Sequence, residues 1–214
     1  MNYRIRYETE MKRLKLNLLR LCNLVTSQIQ KSVNSLMEYD LELASQVAAQ
    51  DDMVDEMEHQ IEKQCLNLLL KEQPVAKDFR EVFSSLKMIT DLERIGDQAE
   101  DIARLVLGLS GAGVIKKFEY IAEMTAVTLE MVNGSVDAFI KEDLSLAEQV
   151  VQKDDILDDL FLKVRFKLSE KIRAHSDSAE DIISIIMIAK YLERIGDHAV
   201  NICEWTKYYE AGER

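Results

Sequence analysis

The chain has few of the residues that interrupt helices. Its 214 residues include one proline and seven glycines, whereas Leu, Ile, Met, Glu, Lys and Ala are abundant. Proline breaks a helix and glycine weakens its interior, so this composition favours an all-α protein. Three of the glycines, Gly108, Gly111 and Gly113, fall within six residues. We interpret residues 109–113 as a linker between a first half, residues 1–108, and a second half, residues 114–214.

Positive charge and long apolar runs are also scarce. Lysine and arginine number 27 against 39 aspartates and glutamates, a formal net charge of −12. Binding a phosphate backbone requires a basic stripe, which no segment here provides, so we expect no nucleic-acid partner. No apolar run reaches the roughly 18 residues that span a membrane, and the N-terminus up to Arg13 is charged throughout. These features predict a cytoplasmic protein, or at most one peripheral to a membrane.

Residues for covalent or cofactor chemistry are equally few. The three cysteines have no metal-ligand spacing and are interpreted as small buried hydrophobic residues in a reducing compartment. The sequence contains no Gly-x-Ser-x-Gly, Walker or Gly-x-Gly-x-x-Gly motif, so we predict no catalytic and no cofactor-binding residues. His198 is expected at the surface. His59 could ligate a metal from one turn after Asp55, but a non-ligand role is favoured.

Apolar residues at intervals of three and four predict long amphipathic helices. The first covers about residues 7–38, and a second, with Asp40 as its N-cap, extends to about Lys71. A third is predicted from Asp78, which has capping-box spacing to Glu81, to about Leu107.

The same plan then repeats. The segment Glu-Arg-Ile-Gly-Asp occurs at Glu93–Asp97 and again 100 residues later at Glu193–Asp197. Earlier in each half, Asp40 aligns with Asp143 at a shift of 103. Such self-similarity indicates an internal duplication. The predicted fold is therefore two tandem, similar three-helix bundles made of six long antiparallel helices.

Acidic side chains form matched rows on neighbouring predicted helices. Asp55 lies 19 residues before Pro74 and Glu93 lies 19 after it, so the rows can face each other across an antiparallel pair. Carboxylates that converge without basic residues need a cation, and oxygen ligands suit Mg²⁺, Ca²⁺, Mn²⁺ or iron. The predicted metal ligands are Asp51, Asp55, Glu58, Glu93, Asp97 and Asp101 in the first half and Asp154, Asp158, Glu193 and Asp197 in the second.

Two alternatives remain for these residues. The carboxylates could form a solvated acidic face with Arg94 and Arg194 as surface partners, and the glycines between them could serve close helix packing, which is compatible with a site nearby. The second copy is the poorer in ligands, because Asp101 becomes Asn201 and Glu58 becomes Phe161.

Aromatic residues cluster at the end of the last predicted helix, namely Trp205, Tyr208 and Tyr209. We interpret this cluster as packing between the halves or as a dimer contact. A partner-docking patch is the alternative.

Taken together, these motifs resemble the PhoU family, which comprises accessory and regulatory proteins of phosphate transport. The resemblance rests on the doubled Leu-Glu-Arg-Ile-Gly-Asp, the Gln73-Pro74 turn followed by Asp78-Phe-Arg80, the paired Asp51 and Asp55, and the closing Asn201-Ile-Cys-Glu204. It implies two three-helix bundles, each with an acidic motif, and multinuclear metal clusters on some members.

The resemblance also implies a function. It suggests a non-enzymatic negative regulator that contacts the ATPase subunit of a Pst-type phosphate ABC transporter and a PhoR-type sensor kinase. We further expect a homodimer, bound divalent or trivalent metal ions (iron, manganese, magnesium, calcium or zinc), and membrane association only through partners. A metal-dependent hydrolase of phosphate compounds and a metal-free helical scaffold are the alternatives.

Overall fold

The structure, a computed structural model, describes residues 3–111, 119–174 and 179–212. Predicted linker residues Ala112 and Gly113, and the side chain of the predicted ligand Asp51, lie outside this description. The described residues form seven helices and no strand: α1 (Tyr3–Glu38), α2 (Leu41–Ala48), α3 (Asp51–Glu72), α4 (Lys77–Leu107), α5 (Glu119–Lys141), α6 (Leu144–Ala174) and α7 (Ala179–Ala211).

Each half is a three-helix bundle, in which the short α2 and the following α3 together take the place of the second helix of the first half. This confirms the predicted all-α, duplicated architecture. In the first half α1 packs against α2, α3 and α4, and in the second α5, α6 and α7 pack against one another. The halves meet mainly through α4 and α7, with a second contact between α1 and α5. Buried apolar residues from both halves belong to one continuous core. The core is continuous because α4 of the first half packs directly against α7 of the second.

The equivalent N-caps of the two halves are confirmed. The Asp40 carboxylate accepts a hydrogen bond from the Leu43 amide at 2.9 Å, and the Asp143 carboxylate accepts one from the Leu146 amide at 3.0 Å. The residue before each cap has a positive φ, 54° at Tyr39 and 57° at Glu142. The same local turn is therefore built twice, as the duplication requires.

Two local predictions were wrong. The second predicted helix is divided at Ala49 and Gln50 into α2 and α3. At the break, the Gln50 carbonyl accepts from the Met53 amide at 3.2 Å and also from the Gln28 side chain of α1 at 3.3 Å. The capping box of α4 does not form, because the helix begins one residue earlier, after Ala76. Asp78 instead pairs with Arg4 at 3.1 Å.

The predicted role of the cysteines agrees with the structure. Cys22, Cys65 and Cys203 are free and buried, and burial raises the pKa of each thiol to about 12, so all three act as small apolar residues. Among the described helices, none is both long enough and apolar enough to cross a membrane.

Candidate metal centre

Three carboxylates of the first half converge between α3 and α4. Asp55 projects from α3, and Glu93 and Asp97 lie one turn apart on α4, so that one oxygen of each residue lies within 4.8 Å of the others. Glu93 and Asp97 are partly buried, whereas Asp55 is exposed. The sequence prediction that the two acidic rows face each other at one level is correct for these three residues.

Glycine in the repeated motif brings the two helices together at this point. A Cβ atom on Gly96 would lie 3.0 Å from Cγ1 of Val54, the residue that precedes Asp55. In the second half, a Cβ on Gly196 would lie 2.4 Å from Cδ2 of Leu157 and 3.5 Å from Oδ1 of Asp154. Each glycine therefore permits a close approach of the opposing helix beside the acidic residues. Close helix packing is thus found at both glycines, and it is compatible with a metal site nearby.

The first cluster contains a basic partner, Arg94, which the sequence analysis gave only as part of the alternative to a metal site. Arg94 Nη1 lies 2.7 Å from an oxygen of Asp97, and Arg94 Nε lies 3.4 Å from an oxygen of Glu93. The pKa of Glu93 is nevertheless raised, first by burial and then by the neighbouring Asp97 charge. The prediction that the carboxylates converge without basic residues was wrong here, since Arg94 offsets part of their repulsion.

In the second cluster Glu193 is buried and Asp154 is partly buried, whereas Asp158 and Asp197 are exposed. Burial, followed by the charges of Asp158, Asp197 and Glu193, raises the pKa of Asp154 to about 6. Its Oδ1 atom is buried and has no hydrogen-bond partner among the described residues. Lys190 forms an ion pair with Glu193. Thr90 holds the equivalent position in the first half, so a lysine competes for a ligand only in the second copy.

These residues fit a hard cation. All the predicted donors are carboxylate oxygens, which suit Mg²⁺, Ca²⁺, Mn²⁺ or iron. An ion close to Asp154 would satisfy its buried oxygen and favour the charged carboxylate that burial now disfavours. In the first half, Asp55, Glu93 and Asp97 would hold the ion, and Arg94 would have to turn away from Asp97. The metal assignment itself stays a prediction.

Two further predicted ligands lie beside the first cluster. Glu58 is partly buried, and its pKa is raised by burial, then by Glu62 and more weakly by Asp55. It also groups with His59 and Glu62, and His59 Nδ1 lies 3.3 Å from Glu62. Asp101 is hydrogen-bonded to the Tyr191 side chain of α7. The acidic row of α4 therefore ends in a contact between the halves.

A polar contact between α4 and α7 was not predicted. His198 Nδ1 lies 2.9 Å from an oxygen of Asp91, and the Asn201 amide donates to that same oxygen at 3.2 Å. The prediction that His198 is a surface residue was wrong, because its side chain is 19% exposed. At a shift of 100 residues, Asp91 corresponds to Tyr191 and Asp101 to Asn201. These differences between otherwise matching repeats could have indicated from the sequence that the two positions contact the other half.

The aromatic cluster at the end of α7 packs between the halves. Phe83 of α4 contacts Trp205 and Tyr208 with ring centroids 6.2 Å and 6.1 Å away, both edge-on. Tyr209 packs against Phe139 of α5 at 5.7 Å. The interpretation as inter-half packing is thus confirmed for Trp205 and Tyr208, whereas the ring of Tyr209 packs against a ring of its own half.

Comparison with known proteins gives one consistent family. The PhoU domain model matches twice, at residues 18–106 and 121–206. The phosphate-specific transport system accessory protein PhoU homolog 1 of Thermotoga maritima is 36% identical over 212 residues, which cover 98% of this chain and 90% of the relative.

Solved structures agree over almost the same length. The crystal structure of PhoU from Pseudomonas aeruginosa superposes with a TM-score of 0.87 at 33% identity, covering 96% of this chain and 99% of the other. The phosphate transport system regulatory protein PhoU from Streptococcus pneumoniae superposes with a TM-score of 0.90 at 28% identity, covering 97% and 98%. The match includes both halves and their arrangement.

Proposed function

This chain belongs to the PhoU family, and from that premise we propose that it is a negative regulator of phosphate uptake and of phosphate-starvation signalling. Its relatives are named as phosphate-specific transport system accessory proteins, and the Streptococcus pneumoniae protein is named a regulatory protein of that system. The proposed partners are the ATPase subunit of a Pst-type ABC transporter and a PhoR-type sensor kinase. The protein acts in the cytoplasm as a homodimer, without enzymatic activity, and reaches the membrane through its partners.

Bound metal ions are the second part of the proposal. The observation that carries it is the convergence of Asp55, Glu93 and Asp97, whose oxygens lie within 4.8 Å of one another. Like charges at this separation are stabilised by a cation more than by a single arginine. The first copy binds metal more tightly than the second, because among the described residues only its three carboxylates converge within 4.8 Å, and because Glu58 of the first copy corresponds to Phe161 in the second.

Elemental analysis of a double variant tests the metal site. Asp97→Ala with Asp197→Ala removes one carboxylate from each cluster and should lower the metal content per protein while the far-UV circular dichroism stays unchanged. The matched control is Asp52→Ala with Asp155→Ala, which removes two exposed carboxylates at equivalent positions of α3 and α6. An unchanged metal content in the first variant would contradict the site assignment.

Deletion of the gene tests the regulatory role. Loss of a negative regulator should raise phosphate uptake and phosphate-starvation gene expression in phosphate-rich medium. Complementation with the wild-type gene should reverse both changes. If neither quantity changes on deletion, the regulatory proposal is wrong whatever the metal content of the protein.

A phosphate-release assay tests the non-enzymatic part. Purified protein loaded with Mn²⁺ or Mg²⁺ should release no phosphate from pyrophosphate or from p-nitrophenyl phosphate above the rate with the metal alone. Release that Glu93→Gln abolishes would identify a metal-dependent hydrolase instead.

A further inference from the structure

A basic cleft lies in the first half, away from the carboxylate clusters. It has a volume of about 760 Å³ and is lined by residues of α1 and α3 alone. Five basic side chains line it against two acidic ones, Glu10 and Glu72. The basic residues are Arg6, Arg13, Arg20, Lys63 and Lys71. The expectation that no segment offers a basic stripe was wrong, because the three arginines lie on α1 and the two lysines of α3 extend the basic surface beside them.

The arginines of the cleft form a row instead of a ring. Arg6, Arg13 and Arg20 are spaced by seven residues, close to two helical turns, so they share one face of α1. At about 1.5 Å per residue, the row is about 21 Å long. A compact anion needs charges that converge on one point, whereas this row matches an elongated ligand. All three arginines are exposed. Arg6 pairs with Glu72 at 2.9 Å and Arg13 with Glu10 at 3.3 Å, so the five basic and two acidic residues leave the cleft with a surplus of three positive charges.

The cleft also has the shape of a helix-binding groove. Its lining residues recur at intervals of three and four along both α1 and α3, and these two helices pack antiparallel. The side chain of Asn17 donates to the side chain of Gln64 at 2.9 Å, and Gln64 donates to the Glu10 carbonyl at 3.2 Å. These bonds fasten the two walls together. Since α4 packs elsewhere on α1 and α3, a further helix in the groove would complete a four-helix bundle.

An apolar side chain gives the groove an amphipathic character. Leu16 lines it and is 48% exposed, so a partner can combine apolar contact with charge pairing. Nucleic acid is disfavoured, because the net charge of −12 repels a long polyanion. The groove is also specific to the first half, since Arg20 corresponds to Glu123 and Lys63 to Phe166 at a shift of 103.

We propose that the cleft between α1 and α3 docks an acidic amphipathic helix of a partner protein. Glutamates or aspartates at every seventh position of that helix would lie against Arg6, Arg13 and Arg20, with an apolar residue over Leu16. This surface does not depend on the metal clusters or on the regulatory role.

Fluorescence anisotropy with a designed peptide tests the proposal. The probe is a labelled, stapled amphipathic helix that carries Glu at every seventh position and Leu on the same face. It should bind the full-length protein, and added salt should weaken the binding. Reversing two charges with Arg13→Glu and Arg20→Glu should weaken it about tenfold or more. Circular dichroism should show that this variant keeps its helix content.

The matched control reverses two lysines of α1 that lie outside the cleft. Lys12→Glu with Lys31→Glu changes the net charge equally at exposed positions and should leave the affinity within about twofold of wild type. The proposal is wrong if both double variants lose affinity equally, if a Gln-for-Glu peptide binds as well, or if wild type does not bind the probe. Displacement of the probe by duplex DNA at equal charge concentration would identify a nucleic-acid cleft instead.

Discussion

At the scale of single residues, Gly196 shows what the repeated motif requires. Alanine is favoured over glycine inside a helix by about 1 kcal/mol. Here the added Cβ would lie 2.4 Å from Cδ2 of Leu157, which is fully buried. Displacing a packed core side chain costs about 1–3 kcal/mol. This cost exceeds the gain in helix propensity from replacing glycine with alanine.

Gly196→Ala should therefore lower the free energy of unfolding by about 1 kcal/mol. In a Leu157→Ala background the clash is absent, so the same substitution should be neutral or stabilising. Urea denaturation of the four proteins in this double-mutant cycle measures the coupling. Equal effects of Gly196→Ala in both backgrounds would show that close packing against Leu157 is not the reason for the glycine.

Asp154 makes the stability of the metal-free protein depend on pH. Its pKa is raised to about 6 in the fold, against about 3.9 in an unfolded chain. The folded state therefore binds the proton more tightly, and the stability that this provides is fully present below about pH 4 and is lost as the pH rises through about 6.

Asp154→Asn should consequently raise the Tm of the EDTA-treated protein at neutral pH, and the gain should shrink as the pH falls towards about 4. Thermal denaturation across this range measures the effect. Asp159→Asn, at an exposed position of the same helix whose charge does not contribute to the raised pKa of Asp154, is the control and should show no such trend. A gain that is independent of pH would contradict the role of the Asp154 charge.

At the scale of helices, α4 and α7 form two groups of polar contacts, one at Asp91 and the other at Asp101. Asp91 accepts hydrogen bonds from His198 and Asn201. Tyr191, which corresponds to Asp91 in the second repeat, is hydrogen-bonded to Asp101. Both acceptors, Asp91 and Asp101, therefore belong to α4, and the groups that contact them belong to α7. Removing an acceptor in a partly buried contact leaves its donors unpaired, which costs about 1–3 kcal/mol.

Asp91→Ala should lower the free energy of unfolding by that amount, about 1–3 kcal/mol, in metal-free urea titrations. Asp55→Ala serves as the control on the first carboxylate cluster. It removes an exposed charge beside two others and should not destabilise the metal-free protein. If the two variants behave alike, the contact of Asp91 with α7 contributes nothing to stability.

Much of the helical plan follows from the sequence, for identifiable reasons. Asp40 could be predicted as an N-cap because its side chain meets an amide three residues later, a local interaction. The break between α2 and α3 could not, because the Gln28 side chain that bonds Gln50 comes from another helix. The face of α4 that carries Glu93 and Asp97 follows from helical periodicity, whereas the position of Arg94 depends on a side-chain rotamer that periodicity does not fix.

At the scale of the whole molecule, the two halves share one hydrophobic core. Contacts of α4 with α7 and of α1 with α5 join bundles that the sequence presents as separate repeats. The single tryptophan, Trp205, lies in the second half and contacts Phe83 of the first. Its fluorescence therefore reports on the second half and on its contact with the first.

The metal-free protein should unfold in one cooperative transition. Tryptophan fluorescence and circular dichroism should give the same urea midpoint. Leu14→Ala, which removes a fully buried side chain from α1 in the first half, should shift both midpoints equally, by about 2–5 kcal/mol in unfolding free energy. Exposed Leu70→Ala is the control. A fluorescence midpoint unmoved by Leu14→Ala would show that the halves unfold independently.

The arrangement of the halves was the part least accessible from sequence. Duplication predicts two similar bundles, but it does not say which helices meet. Nor did it reveal the basic cleft, since Arg13 and Lys63 are 50 residues apart and only the antiparallel packing of α1 and α3 places them together. Such long-range placement depends on which apolar faces remain uncovered after each bundle has formed.

The antiparallel contact of α4 and α7 also has an evolutionary consequence. In a symmetric homodimer every substitution at the interface occurs twice, so a change must be tolerated against its own copy. In a fused duplicate each position mutates alone. Asp91 pairs with His198, whereas at the equivalent contact Tyr191 pairs with Asp101. In a homodimer the two contacts would have to be identical, because both subunits share one sequence. In the fused chain, the sequences of the two contacting helices can therefore differ while the halves stay packed against each other.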